Sequence, residues 1–149
     1  MPQQHYACSV NAAVTAKQAF EAICDIDAWW TINVDGNARQ TGDVFTVHFG
    51  AVYKTIALVE VEEDKKIVWR VNDCNMPWLH NKKEWTGTEV VWQIAEKDGL
   101  TEVLMTHIGL VPEIECYGAC EKGWNYFIQE SLLKLLAQGK GVPDARPTV

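Results

Sequence analysis

Five short segments that read as β-strands, followed by one long amphipathic helix, constrain the fold of this chain more than any other feature. Residues 66–72, for example, place Ile67, Trp69 and Val71 on one face and polar side chains opposite. The other segments are residues 43–49, 51–62, 88–95 and 101–108. One-sided alternation in successive strands predicts an antiparallel sheet with one buried face, and another element must cover that face.

The covering element is predicted at residues 115–138, where apolar residues recur at spacings of three or four along the helix. This stripe consists of Cys116, Cys120, Trp124, Phe127, Ser131 and Leu135. Before the sheet, residues 5–12 predict a first strand. Thr15 with Gln18 fits the capping box that opens a helix, and Asp25 to Trp30 predicts a further helical turn.

These elements together predict an α+β fold. A curved antiparallel sheet of about six to seven strands wraps around the long C-terminal helix, and short helices lie between the first two strands. At 149 residues the chain has the length of one domain. We expect a single domain over residues 1–149, with a core at about 5–138 and a tail at 139–149.

Charge and composition exclude several classes of function. Thirteen basic and twenty acidic residues give a net charge of −7, and nucleic-acid binding requires a basic surface. The sequence shows no signal peptide and no apolar run of the length that spans a membrane, which predicts a cytoplasmic protein without membrane insertion. The five cysteines form no CxxC pair, so we expect buried thiols and no metal site.

Several short motifs in a fixed order resemble a known superfamily. They are Trp29-Trp30 after the first helix, Gly42-Asp43-Val44-Phe45, Ile67-Val68-Trp69, Trp85-Thr86-Gly87-Thr88, Thr101 to His107 with Gly109-Leu110, and Gly123-Trp124. Their order and spacing are similar to those of the START-like (SRPBCC, helix-grip) superfamily. Within it, the chain most resembles bacterial homologues of the ATPase activator of the ninety-kilodalton heat-shock chaperone. The resemblance covers residues 5–138 and implies the helix-grip fold, but a fold does not supply a function.

The leading functional hypothesis is a binding module. An apolar cavity between the sheet and the C-terminal helix would hold a small lipophilic or aromatic molecule in a carrier, sensor or sequestering role. The connections 74–85 and 109–120 would form its mouth. The residues predicted to contact the ligand lie on inward faces: Trp69, Trp92, Met105, His107, Cys120, Trp124 and Phe127.

His107 leaves two interpretations open. It could orient a ligand or act as a general base, since an imidazole titrates near neutral pH. It could instead be a core histidine that is hydrogen-bonded to Trp, Tyr or the backbone. As a base it would make the protein a cyclase- or hydrolase-type enzyme without a cofactor, although the sequence indicates a binding module more than an enzyme. No other catalytic residue is predicted.

The resemblance also implies a third possibility, a protein-partner module of the chaperone-activator type. For the oligomeric state we expect a monomer or a homodimer.

Overall fold

The computed structural model describes residues 4–145, and within them seven strands form one antiparallel sheet that curves around the C-terminal helix. The strands are β1 (Tyr6–Ala12), β2 (Val34–Gly36), β3 (Val44–Phe49), β4 (Val52–Glu62), β5 (Lys66–Asn75), β6 (Glu89–Lys97) and β7 (Leu100–Ile108). The helices are α1 (Ala16–Cys24), α2 (Ile26–Trp29) and one continuous C-terminal helix made of α3 (Tyr117–Asn125), a π-helical segment (Tyr126–Leu132) and α4 (Leu133–Gln138). This arrangement confirms the predicted helix-grip fold.

The sheet has the order β1-β7-β6-β5-β4-β3-β2. Strands β2 to β6 each pair with the next strand along the chain, whereas β1 pairs with β7 and places Val10 opposite Val103. Strand β4 carries two irregularities in its pairing with β5, between Thr55 and Ile56 and between Leu58 and Glu60. Bulges bend a strand and increase its twist, and these two help the sheet curve around the helix.

Local signals placed the first helix and the strand faces correctly. The Thr15 hydroxyl accepts a hydrogen bond from the Gln18 backbone N–H at 3.0 Å, and the Gln18 side chain accepts one from the Thr15 N–H at 2.9 Å. This capping box opens α1, whose Phe20 and Ile23 are buried. The strands alternate between buried and exposed residues as predicted, for example with Trp69 inward on β5.

Strand β2 was not predicted from the sequence. It is only three residues long, ends in a glycine and owes its extended form to pairing with β3, where Gly36 lies opposite Phe45. Gly36 has a φ of +99°, and a Cβ atom at this position would lie 2.2 Å from the Val44 carbonyl oxygen. Glycine is required here because no other residue fits the close approach of the two backbones.

The buried stripe of the C-terminal helix differs from the predicted one in its second half. Phe127 and Leu135 are only half-buried, and Ile128 and Leu136 take the inner positions. Ser131 is completely buried as predicted. The buried apolar residues recur at every fourth position: Cys116, Cys120, Trp124, Ile128, Leu132 and Leu136.

The π-helical segment explains the regular spacing of four. In an α-helix, a step of four residues rotates about 40° past a full turn, so a stripe with this spacing drifts around the helix. The wider i→i+5 turn rotates less per residue and offsets the drift between residues 126 and 132. The same face of the helix therefore stays against the sheet over its whole length.

The segment after the helix packs back onto α2. The Asp144 N–H donates a hydrogen bond to the Trp30 carbonyl at 2.9 Å. A Cβ atom on Gly141 would lie 2.5 Å from the Ala28 carbonyl oxygen, which shows how closely the two backbones approach. The first part of the predicted tail is thus fixed to the fold, and its residues 146–149 lie outside the described residues.

Candidate functional site

A largely apolar cavity of about 360 Å³ opens between the C-terminal helix, the β3–β4 hairpin and the connection from β5 to β6. Six of its lining residues are aromatic. The lining residues are Trp30, Phe49, Val52, Lys54, Met76, Trp78, Trp85, Ala119, Cys120, Gly123, Trp124 and Phe127.

Small residues on the C-terminal helix create the space. Ala119 and Gly123 lie four positions apart, so they share one helix face and both line the cavity. A Cβ atom on Gly123 would meet no other atom within 4 Å. Larger side chains on either side, Cys120 and Trp124, form the adjoining wall. The volume therefore exists because this stretch of the helix carries little side-chain bulk.

The connection between β5 and β6 forms the opposite rim. Met76 and Trp85 are buried against the cavity, whereas the Trp78 side chain is 52% exposed at its edge. The Glu84 carboxylate accepts hydrogen bonds from the backbone N–H groups of Cys116, at 2.9 Å, and Glu115. These are N–H groups at the start of the C-terminal helix, which lack partners within a helix and favour a negative charge. The connection is thereby tied to the helix that it faces.

Lys54 places a positive charge in this apolar wall. It lies on the inward face of β4 with Ile56, and it is only 8% exposed. Its Nζ atom lies 4.0 Å from the centroid of the Trp85 ring and 5.1 Å from that of Phe49. Aromatic ring faces attract cations, so the ammonium is stabilised where a lysine is rarely buried.

Cys120 is the thiol at the cavity surface, and its surroundings favour the thiolate. The pKa of Cys120 is lowered first by a hydrogen bond from Cys116 and, against the effect of burial, by the charge of Lys54. The indole N–H of Trp85 also donates to its sulfur at 3.3 Å. Cys120 is therefore the thiol of this pair that ionises first.

His107 lies behind the cavity wall and holds two of its tryptophans. Its Nδ1 accepts a hydrogen bond from the Trp124 indole N–H at 3.0 Å, and its Nε2 lies 2.9 Å from the Thr88 hydroxyl. Because Nδ1 accepts, the proton of the neutral ring is on Nε2 and is donated to Thr88. The Trp85 ring meets the imidazole edge-on, with 4.5 Å between centroids.

This environment keeps the imidazole neutral. Burial, together with the positive charges of Lys54 and His5, lowers the pKa of His107 from 6.5 to about 3. The lone pair of Nδ1 is already used by Trp124, so the ring is a poor general base. Of the two interpretations of His107, the geometry favours the hydrogen-bonded core histidine, with a positioning role for the wall tryptophans.

The structure separates the predicted contact residues into two groups. Three of them, Cys120, Trp124 and Phe127, line the cavity. The other four are fully buried outside its lining, and their ligand contacts stay a prediction: Trp69, Trp92, Met105 and His107.

Trp29 and Trp30 account for this division, because α2 directs both rings inward rather than leaving them at the edge of the sheet. Trp30 stacks on Trp69 at 5.6 Å and on Trp124 at 5.1 Å. Trp29 packs edge-on against Trp92. The two rings fill the space beside Trp69 and Trp92 in which a ligand was predicted.

The inward direction of Lys54 could have been predicted from the sequence, whereas the directions of Trp30 and Trp85 could not. Lys54 lies two positions before Ile56 on a strand, so its parity already placed it inward. Trp30 belongs to a motif that was singled out, but its direction depends on the packing of α2. Trp85 ends the connection 74–85 that was predicted to form the mouth of the cavity, but its burial in the wall depends on contacts with the C-terminal helix that the sequence does not show.

Two further observations bear on the type of site. Among residues 4–145, no group of three or more His, Cys, Asp or Glu side chains has an arrangement that would hold a metal ion. In the same part of the chain, no helix has the length and apolar character needed to cross a membrane.

Comparison with solved structures shows the fold. The chain is similar to the Aha1 dimer from Colwellia psychrerythraea in solution, with a TM-score of 0.77 and 22% identity over 93% of this chain and 99% of that one. It is also similar to DynU16, a protein in the dynemicin biosynthetic locus, with a TM-score of 0.74 and 19% identity over 97% of this chain and 52% of that one.

A third similar structure is CalU16 from Micromonospora echinospora, with a TM-score of 0.66 and 13% identity over 91% of this chain and 75% of that one. None of the curated proteins compared with the chain matches it. The model of one protein family, however, matches residues 13–137. The chain belongs to this family, which is described as Activator of Hsp90 ATPase homolog 1-like protein.

Proposed function

We propose that this protein binds a small lipophilic or aromatic molecule in the cavity between the sheet and the C-terminal helix, as a carrier, a sensor or a sequestering protein. The observation that carries the proposal is the cavity itself, with about 360 Å³ and a wall of aromatic side chains. Small-molecule sites typically have about 300–1,000 Å³ and an apolar lining with few polar groups. The cavity fits this description.

The aromatic wall is held in place before any ligand arrives. Trp85 and Trp124 are stacked at 5.8 Å with an angle of 13° between their planes. His107 contacts both rings, and its hydrogen bond fixes the indole of Trp124. Fixed side chains lose little conformational entropy on binding, so this wall favours affinity for flat apolar molecules.

Blocking the cavity tests the proposal. Gly123→Leu places a side chain where the structure leaves space, and we expect it to abolish binding of lipophilic molecules such as naphthalene derivatives. The variant should still fold, because leucine favours a helix more than glycine does. Binding is measured by isothermal titration calorimetry over a panel of aromatic and aliphatic compounds.

The matched control is Gly118→Leu. Gly118 lies on α3 as well, but it is exposed and outside the cavity. We expect this variant to bind the panel as the unchanged protein does. Equal binding by both variants, or no binding of any compound by the unchanged protein, would contradict the proposal.

Family membership favours a second candidate, a partner module for a chaperone ATPase. This function predicts that the purified protein raises the ATPase rate of the ninety-kilodalton heat-shock chaperone from the same organism. Because the contact would use the outer surface, Gly123→Leu should leave this stimulation unchanged. Stimulation together with an empty cavity would replace the binding proposal with this one.

A further inference from the structure

The charged side chains in the cavity lining are of one sign. Among the lining residues, all of which lie in the described part of the chain, Lys54 is the only charged side chain, and none is acidic. The remaining wall is aromatic, aliphatic or thiol-bearing. The chain as a whole has a net charge of −7, so a cation at this place is a local feature that runs against the overall charge.

Both the backbone and the side chain of Lys54 are held in position. Its backbone lies in the middle of the sheet, paired with Val47 of β3 on one side and with Cys74 of β5 on the other. The side chain is 8% exposed, and its ammonium reaches ring faces that themselves line the cavity. A lysine fixed in this way cannot move its charge far from the cavity, so a ligand meets it on entry.

We propose that the ligand is an amphipathic monoanion, an aromatic or fatty carboxylic acid whose carboxylate pairs with Lys54 while its apolar body lies against the aromatic wall. The inference rests on the proposed function and names the class of molecule that the cavity takes. A hydrogen bond between ammonium and carboxylate is stronger than one between neutral groups, and it is strengthened further in an apolar surrounding.

The surroundings of Lys54 fit one negative charge better than two. A phosphate group carries close to two charges and three acceptor oxygens, and its sites offer several cations or free backbone N–H groups. Here one cation lines the cavity. The indole N–H groups of Trp85 and Trp124 donate to Cys120 and His107 instead of facing the ligand. A carboxylate is satisfied by the ammonium alone, whereas a phosphate is not.

The test uses two probes with the same ring system, 2-naphthoate and the neutral 2-naphthamide, titrated calorimetrically at pH 7.5 and low ionic strength. We expect 2-naphthoate to bind about tenfold or more tightly than the amide. Rising salt should weaken 2-naphthoate more than the amide, because salt screens the charge pair. Equal affinities for the two probes, or tighter binding of the amide, would overturn the inference.

Three variants test whether Lys54 causes the preference for the anion. Lys54→Met keeps the side-chain length without the charge, and it should lower the affinity for 2-naphthoate about tenfold while that for 2-naphthamide changes little. Lys54→Arg keeps the charge and should keep the preference for the anion. Lys66→Met makes the same substitution at the solvent-accessible start of β5, where Lys66 pairs with Glu60, and should behave as the unchanged protein.

Failure of the inference is distinguishable from failure of the proposed function. If the unchanged protein binds 2-naphthamide or neutral members of the panel but not 2-naphthoate, the cavity binds ligands and only the anionic class is wrong. If no compound binds at all, both proposals fall. The comparison of the two probes on the unchanged protein stands even if Lys54→Met does not fold, and an anion preference that survives in folded Lys54→Met would remove Lys54 from the explanation.

Discussion

The space between the sheet and the C-terminal helix has two halves. Both are lined by tryptophans, but one half is filled and the other contains the cavity. In the packed half, Trp29, Trp69 and Trp92 are completely buried and fill the volume. In the cavity half, Trp85 and Trp124 stand beside open space. Trp30 joins the halves, because it stacks on both Trp69 and Trp124.

The helix, more than the sheet, explains this difference. It contributes the completely buried Ile128 and Leu132 to the packed half, whereas Ala119 and Gly123 line the cavity half. Tryptophan content alone therefore does not indicate a ligand site. A cavity arises where large rings on one side meet small residues on the other.

The largest expected effect is on the free energy of unfolding, and it differs between two neighbouring residues of the helix. Ile128 is completely buried, and Ile128→Ala should lower the free energy of unfolding by about 3 kcal/mol, because it removes apolar contacts and leaves a void. Phe127 is half-buried at the cavity, and Phe127→Ala should cost about 1 kcal/mol, since its surroundings are already open. Urea unfolding monitored by circular dichroism measures both. Equal losses would show that the two halves are packed alike.

The next effect is a dependence of stability on pH that comes from His107. The unfolded chain takes up a proton on this imidazole near pH 6.5, while the folded protein does so only near pH 3. The unfolded state therefore binds more protons between these values, and stability is lost as the pH falls. From pH 7 to pH 5 the loss from this group should be about 2 kcal/mol.

The control for this prediction is His107→Asn, whose side-chain oxygen can still accept from Trp124. We expect the difference in stability between pH 7 and pH 5 to be smaller in this variant by about 2 kcal/mol. Other titrating groups contribute equally to both proteins and cancel. An unchanged difference would mean that the imidazole is protonated in the folded protein.

The smallest expected effect is a difference in stability between the same tryptophan-to-phenylalanine substitution in the cavity half and in the packed half. Trp124→Phe leaves the Nδ1 atom of His107 without its donor, whereas the Trp92 indole N–H has no acceptor among the described residues. Both changes remove a similar volume, so the first should cost about 1–2 kcal/mol more than the second. Thermal and urea unfolding of the two variants measure the difference. A larger loss for Trp92→Phe would show that ring packing outweighs the hydrogen bond.

The fold could be predicted from local sequence patterns, but the candidate site could be predicted only in part. The faces of β7 were predicted correctly because alternation depends on neighbouring residues, as with Val103, Met105 and His107. The cavity depends on what lies opposite in space. The motif Gly123-Trp124 was recognised, but nothing in its sequence shows that the glycine faces empty volume. Similarly, the partners of His107 come from α3 and from the turn before β6, far apart along the chain.

The π-helical segment has a consequence for how the chain tolerates changes in length. A wide turn contains one residue more than the α-helical turn that would replace it. Deleting one residue between 126 and 132 would let this turn close into a regular α-helical turn, and the parts of the helix on either side would keep nearly the same orientation, because the shorter turn covers the same full rotation. Ala119 and Gly123 would then still face the cavity, and Leu132 would stay buried. The π-helical segment is therefore the place where the helix can lose a residue with little effect on the cavity, whereas a deletion within α3 or α4 would rotate one end of the helix by about 100° relative to the other.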